Sequence, residues 1–423
     1  MAGLNQTYKS IKTAFLVLAS LLITTYNGNA QVRILFDATK GEMAGNADWV
    51  IDADQTTVGV GSSGAYLTSS GHQSNPQTTP TPAQSTITTS TPETYWAGAL
   101  SSWGIDCVNK GYSVESLPWN GQITYGNTSN AQDLSNYRVF IVDEPNIVFT
   151  AAEKTAMMQF VQNGGGLFMI ADHNGSDRNG DGWDSPNIWN DFLSNNSVHN
   201  YPFGIYYDLV DFSQTTTNVS ATSSDSLIHG PMGNVTKAQW AGGTTMTLNP
   251  SQNSTVKGVI YKTGTTPGNT NAMVAYARYG YGKVAAIGDS SPTDDGTGNP
   301  GCTLYNGYWA DASGNHRLLL MNITIWLATQ VPGTGVNVNN DAATSISIFP
   351  NPSNGDLYLK ASNTLTNASI TIYDQIGKAV IHETYPEITA SEKFSFQLTP
   401  GFYFFKVESD QLLKTYKLLV NQN

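Results

Sequence analysis

The sequence contains few charged residues, and most of them are acidic. Only 12% of the 423 residues are Asp, Glu, Lys or Arg, and 32 acidic residues outnumber 20 basic ones, giving a formal net charge of −12. A chain with so few cations offers no basic face to a phosphate backbone, so we expect no nucleic-acid partner. The low charge also excludes a coiled coil, and the abundant Gly, Asn, Ser and Thr are typical of an extracellular β-rich or α/β protein.

Cysteines are equally scarce. Only Cys107 and Cys302 are present, and they lie far apart in the chain. Two such cysteines make no disulfide framework. Two alternatives follow: a single bridge between them in an oxidising compartment, or two unpaired thiols buried in the core.

Long apolar runs are absent after the N-terminus. Lys9 and Lys12 precede "AFLVLASLLIT", and "GNA" ends at Ala30 with small residues at both key positions. This pattern predicts a secretory signal peptide over residues 1–30, cleaved after Ala30. The run is too short to span a bilayer and no later segment approaches that length, so we expect an exported chain without a transmembrane segment.

Strand and helix patterns alternate between residues 31 and 330. Several strand candidates are near-continuous apolar runs, as is typical of strands covered on both faces. The strand candidates are "VRILFDA" (32–38), "YSVESLP" (112–118), "YRVFIVDE" (137–144), "GLFMIAD" (166–172), "NAMVAYARYG" (271–280) and "GKVAAIGDS" (282–290). The helix candidates are "PETYWAGALSSWGIDCVNKG", "TAAEKTAMMQFVQNGG" and "HRLLLMNITIWLAT". This alternation predicts an α/β domain with a doubly wound, mostly parallel sheet.

Three segments depart from that pattern. Residues 61–93 are rich in Ser, Thr, Pro and Gly and predict a long surface loop. Residues 331–344 carry Pro, Gly and Asn without periodicity and predict a linker. Residues 345–423 show alternating strands separated by turn signals, which predicts a small all-β sandwich.

Acidic residues follow several predicted strands at the point where each strand ends. They are Asp37, Glu144, Asp172 and Asp289. In an open α/β sheet, ligands bind outside the carboxyl ends of the strands. Carboxylates gathered there would raise each other's pKa unless a positive charge neutralised them. A hard divalent cation with oxygen ligands would do so, and Ca²⁺ is the ion we favour.

The segment after the fourth strand reads like the beginning of a calcium loop. Asp177, Asn179, Asp181 and Gly182 reproduce the spacing D-x-N-x-D-G, and Asp184 could replace the missing glutamate at the twelfth position. The alternative is a Gly-rich loop in which these side chains form Asx turns and cap the following helix.

Candidates for catalysis and substrate binding surround this segment. His173 follows the fourth strand, where a histidine could act as metal ligand or general base, or could simply be hydrogen-bonded into the loop. Ser290, with His316, raises the alternative of a serine esterase. Further candidates for substrate binding are Trp183, Asp48 and His229.

The last region resembles a known secretion signal. "FPNPSNGDLYL", "ITIYDQIGKAV" and "GFYFFKV…KTYKLLV" are similar, in order and spacing, to the type A C-terminal sorting domain of the type IX secretion system of Bacteroidetes. This resemblance implies recognition by the type IX secretion machinery, passage across the outer membrane, and release or attachment at the cell surface.

The preceding domain resembles class I glutamine-amidotransferase-like proteins of the ThuA-like branch. The likeness rests on "VRILFDATKGEMAGNADW", "LSNYRVFIVDEPNIVFTAAEKTAMMQFVQNGGGLFMIADHNG", "DSLIHGPMGNV" and "YGKVAAIGDSS". True amidotransferases carry a nucleophilic cysteine after the strand that corresponds to "GLFMIAD". This chain has Asp172 and His173 there, so the resemblance implies the fold without glutaminase chemistry.

Three hypotheses about function remain open at this point. The leading one is a secreted, metal-dependent hydrolase acting on an ester, glycosidic or phosphate bond. In it His173 is the acid/base, and Asp172 and Asp289 are catalytic residues that hold or surround the cation together with Asp37 and Glu144. The second is a non-catalytic domain that binds carbohydrate or protein and is stabilised by calcium. The third is a serine esterase that uses Ser290.

Overall fold

The computed structural model describes residues 31–44, 47–52, 84–222, 224–297, 305–309, 312–329, 346–374, 378–389, 391–409 and 413–421. The predicted signal peptide (1–30) and linker (331–344) lie outside these residues, as does most of the predicted surface loop.

The region up to residue 329 contains strands, four α-helices and short 3-10 turns among its described residues. The strands are β1 (Arg33–Asp37), β2 (Met43–Ala44), β3 (Ala47–Asp48), β4 (Ser113–Leu117), β5 (Val139–Asp143), β6 (Gly166–Ile170), β7 (Ile205–Tyr207), β8 (Phe212–Thr216), β9 (His229–Gly230), β10 (Gly233–Asn234), β11 (Ala238–Gly243), β12 (Met246–Leu248), β13 (Lys257–Tyr261), β14 (Ala272–Tyr279) and β15 (Gly282–Ile287). The helices are α1 (Ser101–Asn109), α2 (Ala151–Gln162), α3 (Ser185–Ser194) and α4 (His316–Ala328).

In this described region, nine strands form one mixed sheet in the order β4-β1-β5-β6-β15-β14-β12-β7, with β13 also pairing with β14. The strands β4, β1, β5, β6 and β15 are parallel to one another, as the sequence predicts. The other pairs, β15–β14, β14–β12, β14–β13 and β12–β7, are antiparallel. The parallel prediction is therefore correct for one half of the sheet only.

The tight connection between β14 and β15 explains why that prediction fails for β14. Only Gly280 and Tyr281 separate the two strands, and a two-residue connection can join antiparallel strands but not parallel ones. Gly280 has φ +57°, and a Cβ there would lie 2.3 Å from the carbonyl oxygen of Gln162. Both the turn and the neighbouring backbone therefore require glycine.

Apolar side chains of the parallel strands alternate between the two faces of the sheet. Phe36, Ile141 and Ile170 pack into a core with α1 and α4, whereas Leu35 and Met169 pack into a core with α2 and α3. Strands covered on both faces have no polar side, which explains the continuous apolar runs in the sequence.

The structure describes one of the two cysteines, Cys107. Cys107 lies in the core on the α1 and α4 side as a free, buried thiol, with its Sγ 3.9 Å from Sδ of Met321. Cys302 lies outside the described residues. Burial raises the pKa of the Cys107 thiol well above its ordinary value, as expected of an inert core cysteine.

Helix α2 begins with the capping box that the sequence predicts. The Thr150 hydroxyl accepts the backbone N–H of Glu153, and the Glu153 side chain accepts the backbone N–H of Thr150. Two N–H groups of the first turn are thereby satisfied. No helix among the described residues is long and apolar enough to cross a membrane.

Residues 346–421 form two antiparallel sheets around a core of their own. In the described part, one sheet has the order β16-β17-β20 and the other β19-β18-β21-β22. Leu359, Ile370 and Phe405, which come from both sheets, share one hydrophobic core, as the predicted sandwich requires. The strands are β16 (Ile346–Phe349), β17 (Asp356–Ala361), β18 (Leu365–Tyr373), β19 (Ala379–Ile388), β20 (Ser391–Ser395), β21 (Gly401–Glu408) and β22 (Leu413–Val420).

Removing the cap of α2 should destabilise the α/β region. We expect Thr150→Ala to lower its free energy of unfolding by about 1 kcal/mol, because N–H groups of the first turn lose their acceptor. All nine tryptophans precede residue 345, so tryptophan fluorescence during urea unfolding of the full chain reports this region alone. Thr266→Ala, in an exposed loop, is the control and should change stability by less than about 0.5 kcal/mol. Equal stability of Thr150→Ala and the wild type would contradict the capping role.

Candidate functional site

The carboxyl ends of β1, β5, β6 and β15 meet at one edge of the sheet and deliver acidic side chains there. These four strands are adjacent and parallel, so their ends lie side by side. Five carboxyl groups lie at this edge, and each is almost completely buried. They belong to Asp37, Asp143, Glu144, Asp172 and Asp289. Buried carboxyls at such an edge need specific partners, and those partners define the site.

Glu144 is the most highly connected of these residues. Its Oε2 accepts hydrogen bonds from Trp49 Nε1 at 2.7 Å and from the Ser290 hydroxyl at 2.6 Å, and its Oε1 accepts one from Arg178 Nε at 3.0 Å. Its backbone has φ +49°, a left-handed conformation that is uncommon for residues other than glycine. This conformation turns the chain sharply after β5. Such backbone outliers concentrate at functional sites.

Arg178 is the cation that neutralises this cluster. Its Nη2 donates to Asp172 Oδ2 at 2.6 Å, while its Nε donates to Glu144. Burial acts to lower the pKa of Arg178, but the charges of Glu144 and Asp172 outweigh burial and raise it, so the guanidinium keeps its charge. An arginine from the Asp-rich loop thus lies between Glu144 and Asp172, and the divalent metal ion expected here from the sequence stays a prediction.

The remaining carboxyls are shifted toward their protonated forms. Burial raises the pKa of Asp172 well above its ordinary value; the charges of Glu144 and Asp289 raise it further, and Arg178 lowers it. Burial raises the pKa of Asp289 to about 7, although backbone N–H groups of Ser291 and Ala241 donate to its two oxygens. A carboxyl group with a pKa near 7 can both take up and release protons at neutral pH.

Asp143 is unusual because no hydrogen bond reaches its carboxyl oxygens. Within the described part of the chain, neither oxygen has a partner, although the residue is 2% exposed. The nearby Thr293 hydroxyl donates to the carbonyl oxygen of Ser290. Burial raises the pKa of Asp143, Thr293 lowers it, and the charges of Glu144, Asp289 and Asp294 raise it again. An unsatisfied buried carboxyl is costly and often marks a binding position.

His173 lies beside Asp172 at the partly exposed rim of the cluster. Its Nδ1 is 2.9 Å from the carbonyl oxygen of Asn174, which can only accept, so this contact assigns the proton of the neutral ring to Nδ1. The unprotonated Nε2 then faces Asp172 Oδ2 at 3.6 Å, a separation too long for a direct hydrogen bond. On the other side, Nδ1 lies 3.8 Å from Oδ2 of Asp211.

The backbone at the end of β11 lies close to His173 and Asp289, and the charges of the same cluster act on Tyr305. Gly242 has φ +85°, and a Cβ there would lie 3.3 Å from the imidazole Cδ2; at Gly243 a Cβ would lie 2.7 Å from the Cβ of Asp289. The end of β11 therefore packs closely over the site, which requires glycine. Tyr305 is half-exposed. Burial raises its pKa, and the charges of Asp289 and Asp172 raise it further.

Asp37 forms a pair of its own instead of contacting Arg178. Its partner is Glu42, whose two oxygens accept the backbone N–H of Lys40. Burial raises the pKa of Glu42, and the charge of Asp37 raises it further. Asp37 thus lies beside a second carboxyl group, and the prediction that Asp37, Glu144, Asp172 and Asp289 share one counter-ion stays a prediction.

The Asp-rich loop binds its own backbone. Asp177 accepts the N–H groups of Gly180, Asp181 and Gly182. These contacts are Asx turns, which were the predicted alternative to a calcium loop. No three His, Cys, Asp or Glu side chains in the described ranges are grouped so that they could hold a metal ion.

The other predicted metal ligands of this loop have similar partners. Asn179 donates to the carbonyl oxygen of Asn146, and Asp181 accepts the N–H of Trp183. Asp184 caps α3 by accepting the N–H of Asn187, and it also accepts the N–H of Gly175. These bonds hold Arg178 over the strand ends.

The predicted Ser290–His316 pair does not form. The Ser290 hydroxyl donates to Glu144, while His316 Nε2 accepts the N–H of Gln239 and Nδ1 contacts the carbonyl oxygen of Gly307. Both ring nitrogens are therefore engaged by backbone, and the esterase hypothesis loses its base.

The predicted substrate-binding residues are dispersed. Trp183 is exposed on the Asp-rich loop beside the cluster. His229 lies in the β9–β10 hairpin, where its Nδ1 contacts Asn234 Oδ1 and the hairpin packs against α4. The side chain of Asp48 lies outside the described part of the chain.

Arg178, Tyr305 and the hydrogen bond from Trp49 to Glu144 were not predicted from the sequence. One signal was present: "SDRNGDG" places a basic residue at the second position of the supposed calcium loop. A positive charge inside a group of carboxylates indicates an internal ion pair more directly than it indicates a metal site.

Comparison with known proteins identifies the last region of the chain. Residues 347–421 match the family model of the secretion system C-terminal sorting domain. The chain carries a type IX secretion sorting domain. It is therefore an exported protein, either secreted or held at the cell surface, and the sorting domain is the part that interacts with the secretion machinery.

Solved structures show weak likeness to the α/β region. The N-terminal domain of mmIFT52 covers 70% of this chain and 97% of its own, with 15% identity and a TM-score of 0.41. A cytoplasmic protein of Salmonella typhimurium covers 53% and 86%, with 14% identity and a TM-score of 0.34. A putative ThuA-like protein of Parabacteroides merdae covers 52% and 80%, with 13% identity and a TM-score of 0.29.

With TM-scores below 0.5, these likenesses carry no argument about what the chain does. No curated protein was found to match the chain in sequence. What the α/β region does must therefore be argued from its own residues.

The raised pKa values predict how stability depends on pH. Between about pH 4, where a free aspartate titrates, and about pH 7, the folded state keeps the proton on Asp289 that the unfolded state has lost. The free energy of unfolding should therefore fall as the pH rises through this window, by up to about 1.4 kcal/mol per pH unit for this residue. Asp295, whose pKa burial raises to about 6, acts in the same direction.

Urea unfolding of the full chain at several pH values, followed by tryptophan fluorescence, measures this slope. Asp289→Asn should make it shallower, because a group that titrates differently in the two states has been removed. A constant loss of stability from the new amide does not affect the comparison of slopes. An unchanged slope in the variant would contradict the pKa assigned to Asp289.

Proposed function

We propose that the α/β region is an extracellular hydrolase in which His173 and Asp172 transfer the proton and Arg178 binds the oxygen that becomes negative. The observation that carries this proposal is that Nε2 of His173 lies 3.6 Å from Oδ2 of Asp172, a buried carboxyl group with a raised pKa that also binds the permanently charged guanidinium of Arg178. Base, orienting carboxyl and electrophile thus lie together at the edge of the sheet where ligands of α/β proteins bind.

Proton transfer takes place in the space between the side chains of His173 and Asp172. A single water can hydrogen-bond to both Nε2 and Oδ2, because the two atoms are 3.6 Å apart. When the water oxygen attacks the substrate, Nε2 takes up one of its protons, and Asp172, whose ionised form Arg178 favours, stabilises the imidazolium. The same proton then passes to the leaving oxygen as the substrate bond breaks.

The electrophile is the third nitrogen of Arg178. Its Nε and Nη2 are bound to Glu144 and Asp172, whereas Nη1 makes no hydrogen bond with the described part of the chain. A guanidinium fixed at two nitrogens is pre-organised to donate from the third to a developing oxyanion. This chemistry favours a carboxyl ester or a phosphoester over a glycosidic bond, whose cleavage develops positive charge.

A divalent cation is the second candidate for the electrophile, and Asp143 is the observation that favours it. The two oxygens of Asp143 have no hydrogen-bond partner in the described residues, although Glu144, Asp289 and Asp294 lie close enough to raise its pKa. Oxygen ligands of this kind suit Ca²⁺ or Mg²⁺. In that case binding would require these carboxyls to move closer together.

Turnover of chromogenic carboxyl-ester and phosphoester substrates by the full chain tests the proposal. We expect His173→Ala and Asp172→Asn each to lower kcat by about 10²- to 10⁴-fold, because each removes a partner of the proton transfer. His199→Ala, which removes an exposed histidine that packs on Tyr279, is the matched control and should retain full activity. Melting temperatures of the variants separate lost chemistry from lost folding.

Two outcomes would overturn the proposal. A wild-type chain that turns over neither substrate class has no hydrolase activity of this kind, and full activity of His173→Ala would remove the base. Chelation decides between the electrophiles: activity abolished by EDTA, restored by a divalent cation and lost in Asp143→Asn would favour the cation over Arg178.

A further inference from the structure

We infer that a separate cleft at Trp309 and Arg317 binds a neutral sugar ring. The cleft has a volume of about 210 Å³ and lies between the segment around Glu93, the exposed side of α1 and the first turn of α4. None of its lining residues belongs to the carboxyl cluster or to the catalytic groups proposed above. The inference therefore stands independently of the hydrolase proposal.

The floor of the cleft is held rigid by ion pairing and hydrogen bonds. Asp106 accepts hydrogen bonds from Arg317 Nε at 2.6 Å, Arg317 Nη2 at 2.8 Å and the Tyr308 hydroxyl at 2.6 Å. Two parallel N–H bonds to one carboxylate fix the plane of the guanidinium. Within the described residues Nη1 of Arg317 makes no such bond, so it can donate to a ligand.

Trp309 provides the apolar surface of the cleft. Its Nε1 donates to the Ser102 hydroxyl at 3.0 Å, and the Arg317 guanidinium lies 4.6 Å from the ring centroid. The indole is nevertheless 40% exposed. A large aromatic ring that is anchored at two points and still open to solvent is pre-organised for stacking, because little rotamer freedom remains to be lost on binding.

The charges that line the cleft balance. Glu93 and Asp106 are acidic, and Lys110 and Arg317 are basic. A wall with equal numbers of each sign gives no net attraction to an anion or a cation, in contrast to the acidic cluster at the sheet edge. The cleft therefore favours an uncharged ligand.

The polar groups of the cleft suit hydroxyl groups. The Thr89 hydroxyl can donate or accept, the amide oxygen of Asn109 can accept, and Nη1 of Arg317 can donate. Trp309 and Met232 offer apolar contact. A pyranose ring presents C–H groups on its faces and hydroxyls around its edge, so it matches both kinds of surface. At about 210 Å³ the cleft is smaller than the ~300–1,000 Å³ of pockets for drug-sized ligands, which limits the occupant to one or two rings.

Calorimetric titration of the full chain with neutral saccharides tests this inference. The panel contains glucose, galactose, mannose, xylose, N-acetylglucosamine and cellobiose at millimolar concentration. We expect saturable binding of at least one of them, weakened at least tenfold in Trp309→Ala and partly retained in Trp309→Phe, which keeps an aromatic ring. Trp119→Ala, which removes another exposed tryptophan, is the matched control and should bind as the wild type does.

Three results would overturn the inference. They are the absence of saturable binding across the panel, equal affinity of Trp309→Ala and the wild type, and binding of glucosamine or gluconate at least as tight as that of the best neutral sugar. Loss of hydrolysis in His173→Ala with sugar binding unchanged would show the two sites to be distinct, so failure of one proposal leaves the other standing.

Discussion

The ion pairs of one arginine hold the candidate site together. Arg178 places its guanidinium between Glu144 and Asp172 at the carboxyl edge of the sheet, where further buried carboxyls crowd. Without a positive charge, these groups would have to take up protons or lose their burial. Arg178 lowers the pKa of Asp172, whereas burial and the neighbouring carboxyl charges raise the pKa values of Asp172, Asp143 and Asp289. The contact with Arg178 therefore opposes the effect of burial at Asp172.

The backbone around the cluster positions Glu144 and Arg178 for their contact. The left-handed conformation of Glu144 turns its carboxylate back toward Trp49, Ser290 and Arg178. The Asx turns of the Asp-rich loop hold Arg178 in place, because Asp177 and Asp184 bind backbone N–H groups of the loop itself. The loop therefore acts as a support for a cation that is part of the protein.

Much of the sheet could be predicted from the sequence, because buried parallel strands are continuous apolar runs. "RILFD", "VFIVD" and "GLFMI" lie within predicted strands and end next to the acidic residues that were expected to meet. The antiparallel half was harder to predict: β7 and β12, with the sequences "IYY" and "MTL", are only three residues long. Such strands depend on their tertiary partners and carry little periodic signal.

The counter-ion could not be predicted, because ion pairing between Glu144 and Arg178 joins residues 34 positions apart and depends on how the loop folds back. The D-x-N-x-D-G spelling favours calcium in the sequence, yet the same side chains satisfy the loop's own N–H groups in the structure. The pairing of Asp37 with Glu42 was missed for the same reason. The positions of the strand ends predict which carboxyl groups come close together. The folding of the loops determines which cation or proton these groups share.

A double-mutant cycle on the full chain tests the central claim most directly. The free energy of unfolding of the α/β region is measured at pH 7 for the wild type, Arg178→Met, Glu144→Gln and the double variant. If the guanidinium is the counter-ion of Glu144, the two substitutions should be coupled by about 2 kcal/mol or more, because the second adds little once the pair is broken. Additive effects, within about 0.5 kcal/mol, would show that the two charges do not depend on each other and would contradict an internal counter-ion.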